Sequence, residues 1–163
     1  MKVRRIVRLS VLGGVLGTAG AASAAEDSIL ADAVERGRAA QVRTLLDSGA
    51  DVNGTQVDGM TALHWAVYHD DAVTASLLSQ SGADVGVENR YGVSPISLAA
   101  TNGNADVVRL LLDAGADANA TLPGGEAVIM TAARTGSVEA VTALLVAGAD
   151  PNAREQRDQT ALM

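Results

Sequence analysis

The chain has 163 residues, no cysteine and a formal net charge of −7 at pH 7. The absence of cysteine excludes disulfide bonds, cysteine metal sites and thiol nucleophiles. The acidic charge disfavours nucleic-acid and membrane-surface partners, because it repels phosphate groups and anionic lipids, and it favours partners with basic surfaces. A role limited to solubility is the alternative interpretation of the same charge.

The first 24 residues have the pattern of a cleaved secretory signal peptide. The segment opens with four basic residues, Lys2, Arg4, Arg5 and Arg8. An uncharged apolar stretch follows over residues 9–19, and Ala22-Ser23-Ala24 forms a small-residue cleavage site. A membrane anchor and an N-terminal helix of the domain are the alternatives, but the apolar stretch is shorter than the roughly 20 residues that a membrane span needs. Cleavage would leave a mature chain with a net charge of −11 and no lysine, exported by the general or the twin-arginine route.

The next segment predicts two short helices. Asp27 or Ser28 can cap a helix from Ile29 to Glu35, and Gly37 supplies the left-handed residue that ends this helix. A second helix over Ala39 to Asp47 carries apolar residues at helical spacing.

The end of this second helix begins an internal repeat. Glycine recurs every 33 residues, and each of these glycines is followed by alanine and aspartate: Gly49, Gly82, Gly115 and Gly148. The following helix pair opens with TALHWA from Thr61, and the unit after it opens with SPISLA from Ser94. A 33-residue period with this motif resembles the ankyrin repeat.

The resemblance covers Ser28 to Met163 and implies an all-α fold, a solenoid of stacked helix-turn-helix units with β-hairpin-like finger loops. The units are predicted at about 28–58, 59–91, 92–124 and 125–157, with a partial unit at 158–163. Because Thr160-Ala161-Leu162 repeats the entry to a unit shortly before the chain stops, we expect either a truncated array or self-association through the open end.

The second unit carries both histidines of the chain. In ankyrin repeats the motif threonine and histidine join a hydrogen-bond network between units, so the resemblance implies structural roles for Thr61 and His64. Asp70 stands where the other units end their inner helix with glycine, and Ser79 replaces a leucine. We therefore predict that the outer helix over Ala72 to Ser79 is the least stable internal helix.

The fourth unit lacks this polar motif, since Ala127 and Met130 stand at the threonine and histidine positions. Apolar packing is expected to hold this unit, through Ile129, Ala132, Val138, Val141, Leu144 and Leu145.

No catalytic residue, cofactor or metal site is predicted. Asp51 and Asn53, like the equivalent pairs in later units, suit turns better than a calcium loop, which needs more ligands. His64 and His69 are five residues apart, unlike the i, i+4 ligands of a zinc helix. Gly124-Gly125 lacks the lysine of a phosphate loop, and no nucleophile motif accompanies the histidines.

Partner-binding positions in ankyrin repeats lie on the finger tips and on the exposed side of the inner helices, which together form a concave face. Tyr68, Tyr91, Arg90 and Met60 are the best candidate anchors, because such side chains are enriched in interface cores. Trp65 is expected to pack or to line the concave wall. The remaining candidates vary between units: Val57, His69, Val93, Thr101, Asn102, Pro123, Glu126, Arg134 and Thr135.

The resemblance and the leader together predict a non-enzymatic protein-binding module in the periplasm of a Gram-negative bacterium. Two alternatives remain open: a secreted effector that binds host proteins, and an accessory subunit that supports a periplasmic enzyme. Catalysis by the chain itself is the weakest alternative, because no site stands outside the repeat pattern.

Overall fold

The computed structural model describes residues 28–153. The predicted signal peptide at 1–24 and partial unit at 158–163 lie outside this range. Within it, the chain forms four units, each with a shorter inner helix followed by an outer helix. The inner helices are α1 (Ile29–Glu35), α3 (Ala62–Tyr68), α5 (Pro95–Asn102) and α7 (Val128–Arg134). The outer helices are α2 (Ala39–Asp47), α4 (Ala72–Gln80), α6 (Ala105–Asp113) and α8 (Val138–Val146).

The helices stack in sequence order. α1 packs on α3, α3 on α5 and α5 on α7, while α6 packs on both α4 and α8. The predicted bounds of α1 and α2 are confirmed, and α4 ends at Gln80, one residue later than expected. The predicted low stability of α4 stays a prediction, which amide hydrogen exchange can test against α6.

Finger loops join one unit to the next with hairpin-like pairing. In the second unit, an isolated antiparallel bridge pairs Thr55 with Thr61, and the amide of Gln56 donates to the carbonyl of Met60 at 2.9 Å. The fourth unit has the equivalent bridge between Thr121 and Ala127. The predicted finger loops are therefore present, and backbone hydrogen bonds hold them.

Small residues let the inner helices approach closely. Ala33, Ala66, Ala99 and Ala132 are all buried at the same register position. Larger apolar side chains fill the space between inner and outer helices, and they include Leu63, Leu78, Ile96, Leu111, Ile129 and Leu144. The core therefore runs continuously along the stack, as expected for units that bury surface mainly against their neighbours.

The fourth outer helix departs from the packing expected of it. Val138 is 71% exposed, and Leu145 is exposed as well, so these two residues do not serve as core residues. Val138 opens α8 at the position that Ala39 and Ala105 occupy in other units, on the outer surface of the stack. Val146 at the end of α8 is also exposed, where Asp113 ends α6.

Asp70 has the left-handed backbone that the sequence predicts for it, with φ of 56°. A left-handed aspartate costs about 1 kcal/mol relative to glycine. Two amides from the third unit offset part of that cost, because the side chains of Asn102 and Asn104 donate to the Asp70 carboxylate at 3.1 and 3.3 Å. Asp70 therefore has two opposing effects. Its left-handed backbone weakens the turn, and its carboxylate links the second unit to the third.

Candidate functional site

The finger loops and the solvent side of the inner helices form one surface, which we call the inner face. The structure leaves most of the predicted contact residues exposed there. Val57, Tyr68 and Tyr91 are 83%, 58% and 70% exposed. His69, Arg90, Thr101, Asn102, Pro123, Arg134 and Thr135 are exposed as well, while Val93 and Glu126 are partly buried.

Met60 is the exception, and its assignment as an anchor is wrong. It is only 8% exposed, and its sulfur accepts a hydrogen bond from the Asn89 side chain at 3.2 Å. Met60 therefore packs the second finger against the third. The flexible thioether fills this gap between loops, which is a structural role.

Asn102 and His69 are exposed but already have partners between units. The Asn102 amide donates to the Val67 carbonyl at 2.9 Å, and the His69 ring contacts the Glu35 carbonyl at 3.1 Å. Both residues therefore help to hold adjacent inner helices together. In contrast, the Arg90 guanidinium and the hydroxyls of Tyr68 and Tyr91 make no hydrogen bond within residues 28–153.

A groove of about 490 Å³ lies on the inner face between the first unit and the second and third fingers. Ser28 and Asp32 line it from the first unit, and Arg90 and Tyr91 line it from the third finger. Gln56, Val57 and Asp58 of the second finger form the remaining wall. The groove thus gathers three of the predicted contact residues, Val57, Arg90 and Tyr91.

Gln56 connects this groove to the aromatic residues of α3, and sequence reasoning missed it. Its carbonyl accepts from the Trp65 indole at 2.7 Å, and its amide donates to Asp32 at 2.8 Å and Glu35 at 2.9 Å. Trp65 therefore lines the wall of the inner face, one of its two predicted places. The only signal in the sequence is that Gln56 aligns with Asn89 and Leu122, so the position is not fixed by the repeat.

Three rings meet on α3. The Trp65 ring lies 5.6 Å from Tyr68 in an edge-to-face arrangement and is stacked 5.9 Å from His69. Tyr68 and His69 also meet edge to face at 5.4 Å. Such pairs stabilise the orientation of the rings beyond the area they bury. These ring contacts fix the orientation of the Tyr68 side chain, which stays exposed.

His64 links the second and third units, as predicted. Its Nδ1 accepts from the backbone and hydroxyl of Thr61 at 3.2 and 2.8 Å, so Nε2 carries the proton and donates to the Val93 carbonyl at 2.9 Å. Burial lowers the pKa of His64 from its usual value, while the hydrogen bond to Val93 and the charge of Asp58 oppose this shift. A neutral, buried His64 is therefore a structural residue.

The fourth unit has a polar cluster of its own, which the sequence did not predict. The Thr131 hydroxyl donates to Glu126 at 2.7 Å, and Arg134 pairs with the same carboxylate at 2.6 Å. Partial burial raises the pKa of Glu126, but the hydrogen bonds from Arg134 and Thr131 outweigh burial and lower it overall. Both predicted contact residues of this cluster, Glu126 and Arg134, are thus partners of each other.

The aspartates at the unit junctions form turns, as expected. The carboxylates of Asp51, Asp84, Asp117 and Asp150 each accept from the backbone amide two residues later. In the described range, no group of three or more His, Cys, Asp or Glu side chains is placed to hold a metal ion. Among the helices of residues 28–153, none is long and apolar enough to cross a membrane.

The turns that follow the outer helices bring the four repeat glycines into the left-handed region. Gly49, Gly82, Gly115 and Gly148 have φ between 81° and 96°. Other residue types are strained in this conformation, so the repeat glycines are needed for the backbone conformation of these turns.

Comparison with known proteins agrees with the repeat geometry. The sequence matches the family described as ankyrin repeats (3 copies) over residues 30–122 and again over residues 70–155. A search of curated proteins found no match. The two matched segments together span well over half of the chain, and repeats of this family suggest a protein–protein interaction module. The chain belongs to the ankyrin repeat family.

Proposed function

We propose that this protein is an exported, non-enzymatic ankyrin protein that binds another protein through its inner face. The observation that carries the proposal is the groove between the first unit and the second and third fingers. It combines exposed apolar and aromatic side chains with an arginine that makes no ion pair within residues 28–153. Tyrosine and arginine are the residue types that most often dominate the energy of protein interfaces.

Charge supports a partner with a basic surface. The mature chain would carry −11, so its field attracts basic proteins and speeds their association. Export rests on the leader pattern at residues 1–24, and periplasmic release is the destination that we favour. N-terminal sequencing of the protein from a producing Gram-negative cell tests export, and the expected first residue is Ala25.

A second groove, of about 720 Å³, lies on the opposite side of the stack between α6 and α8. Arg109, Leu112 and Val146 are among its lining residues. We favour the inner groove because α1 and two finger loops contribute to it and because Tyr91 lines it. The outer groove supplies a matched control, since it also presents arginine and exposed apolar side chains.

The test is capture of partners from periplasmic extract by the parent chain and two triple variants. The inner variant is Tyr68→Ala/Arg90→Ala/Tyr91→Ala, and the outer control is Arg109→Ala/Val138→Ala/Val146→Ala, whose three residues all line the outer groove. We expect one protein to be captured in stoichiometric amount by the parent and the outer control, and to be lost from the inner variant. Circular dichroism checks that both variants remain folded.

Loss of the partner from the outer control instead would move the binding site to α6 and α8. Equal capture by all three chains would contradict binding through either groove. If the captured protein is an enzyme whose activity depends on the complex, the accessory role follows. If the mature chain is found in culture medium and captures host proteins only, the effector role follows.

A further inference from the structure

We propose that the N-terminal end of the inner face receives an arginine side chain of the partner, at the carboxylates of Asp32 and Glu35 beside Tyr68. This inference rests on the proposed function, because it concerns the same surface. It adds the place where the partner's positive charge binds.

The inner helices differ in charge along the stack. Two register positions lie on the solvent side of the inner helices in the first three units, and in the fourth unit the first of them is buried. The first position is occupied in turn by Asp32, Trp65, Leu98 and Thr131, and the second by Glu35, Tyr68, Thr101 and Arg134. The surface thus changes from acidic in the first unit to aromatic in the second and neutral in the third, while in the fourth unit Arg134 is paired with Glu126. Charge complementarity places a cation of the partner over the first two units.

The two carboxylates converge on a single neutral group. The amide nitrogen of Gln56 donates to Asp32 at 2.8 Å and to Glu35 at 2.9 Å, so two negative charges share one uncharged donor. Arg36 reaches Asp32 at 3.4 Å in an exposed pair, which contributes little. Within residues 28–153, Glu35 makes no ion pair.

A guanidinium group fits this arrangement better than an ammonium group. It is planar and presents five N–H donors, so it can bridge two carboxylates that lie close together. It also stacks on aromatic rings, and Tyr68 is 58% exposed with its ring oriented by Trp65 and His69. The two carboxylates and the Tyr68 ring therefore both favour binding of an arginine side chain.

The remaining charges of the groove set the orientation. Arg90 lines the groove from the third finger and repels a second cation there, while Asp58 adds negative charge on the second finger. The partner's arginine is therefore expected on the α1 side of the groove. Val57 and Tyr91, both highly exposed, give apolar contacts to the residues that flank the arginine.

A random 12-residue peptide library displayed on phage provides the probe. The full 163-residue sequence is expressed, and the form that accumulates is immobilised for selection. We expect the enriched peptides to share an arginine next to an apolar residue, with lysine less frequent at the same place. The best arginine peptide is then measured against its Arg→Lys and Arg→Gln forms.

Two double variants separate a local contact from a change in overall charge. Asp32→Asn/Glu35→Gln removes two negative charges at the proposed site and keeps oxygens that can accept from Gln56. Asp47→Asn/Asp113→Asn removes two negative charges from the ends of outer helices. The first pair is expected to weaken binding of the arginine peptide about ten-fold, because hydrogen bonds to charged groups are lost. The control pair should leave the affinity within about two-fold of that of the parent chain.

Tyr68→Ala is expected to weaken binding of the arginine peptide several-fold. Binding of the Arg→Gln peptide should weaken by less, because that peptide has no cation to contact the ring. Equal weakening by the two charge pairs would overturn the inference, since it would show a general field effect. Enriched peptides that lack a basic residue but depend on Tyr68 and Tyr91 would also overturn it, and would leave the proposed function standing. Failure to enrich any peptide, together with equal capture by all chains in the extract experiment, would overturn both.

Discussion

The second and fourth units build the same backbone from different side chains. Both inner helices follow an extended residue that closes a finger by an isolated bridge, Thr61 in the second unit and Ala127 in the fourth. In the second unit this residue caps the helix, and His64 continues the contact to the third unit. In the fourth unit Ala127 cannot cap, and Met130 stands in place of the histidine. The bridge and the packing thus position the helix in both units, and the polar motif adds stability at the junction between the second and third units.

The largest expected effect comes from removing the histidine that joins two units. His64→Ala should lower the free energy of unfolding by about 3 kcal/mol, because it leaves a buried cavity and removes the partners of Thr61 and the Val93 carbonyl. Urea denaturation followed by circular dichroism measures this change. His69→Ala is the control, since His69 is exposed and should cost under about 1 kcal/mol. A loss of less than 1 kcal/mol in His64→Ala would contradict the role of the motif.

Acid should weaken the same junction. Because burial lowers the pKa of His64 in the folded chain, the unfolded chain binds a proton first as the pH falls below about 6.5. Stability should therefore fall with pH below this value, by at most about 1.4 kcal/mol per pH unit, until the folded-state pKa is passed. Urea denaturation at pH 7.5 and 5.5 measures the slope, which should shrink in His64→Gln, and His69→Gln is the control variant. An unchanged slope in His64→Gln would assign the pH dependence to other groups.

Removing a helix cap and adding one should change stability in opposite directions. Thr61→Ala removes the hydroxyl that accepts from the His64 amide and should cost about 1 kcal/mol. Ala127→Thr places a hydroxyl at the equivalent position of the fourth unit, where the backbone is extended, and should stabilise that unit by up to about 1 kcal/mol. Thermal denaturation of both single variants compares them. A destabilised Ala127→Thr would show that the buried site cannot accommodate the larger side chain.

The smallest effect is expected at the polar cluster of the fourth unit. Glu126→Gln should cost about 0.5 kcal/mol at pH 7, because its partner Arg134 is largely exposed and screened. Since the pKa of Glu126 is lowered in the folded chain, its contribution is present above about pH 4.5 and is lost as the pH falls through the folded-state pKa. The difference between parent and variant should therefore shrink from pH 7 to pH 3. Glu139→Gln, an exposed change on α8, is the control variant.

The repeat made much of the backbone predictable. A 33-residue period fixes where helices start and end, so α1 and α2 were placed residue by residue, and the left-handed Asp70 followed from its alignment with glycine. The linking role of His64 was also predictable, because the resemblance to ankyrin repeats implies it, and its partner is the Val93 carbonyl.

Side-chain contacts between fingers were not predictable in the same way. Met60 varies between units like a contact residue, yet it is buried because the second and third fingers lie against each other. The contacts of Gln56 depend on the reach of one flexible side chain across two units. The pairing of Glu126 with Arg134 likewise depends on the conformations of their side chains. A repeat pattern gives the position of a residue in its unit, and these contacts depend on neighbours that the pattern leaves variable.

Chemical-shift mapping by NMR tests the central claim most directly. The ¹⁵N-labelled chain is titrated with the captured partner, or with the arginine peptide from the library. The account predicts the largest amide shifts at Val57, Tyr68 and Tyr91, with little change at Val73 and Val146 on the outer helices. Shifts confined to α6 and α8, with the inner face unchanged, would contradict it.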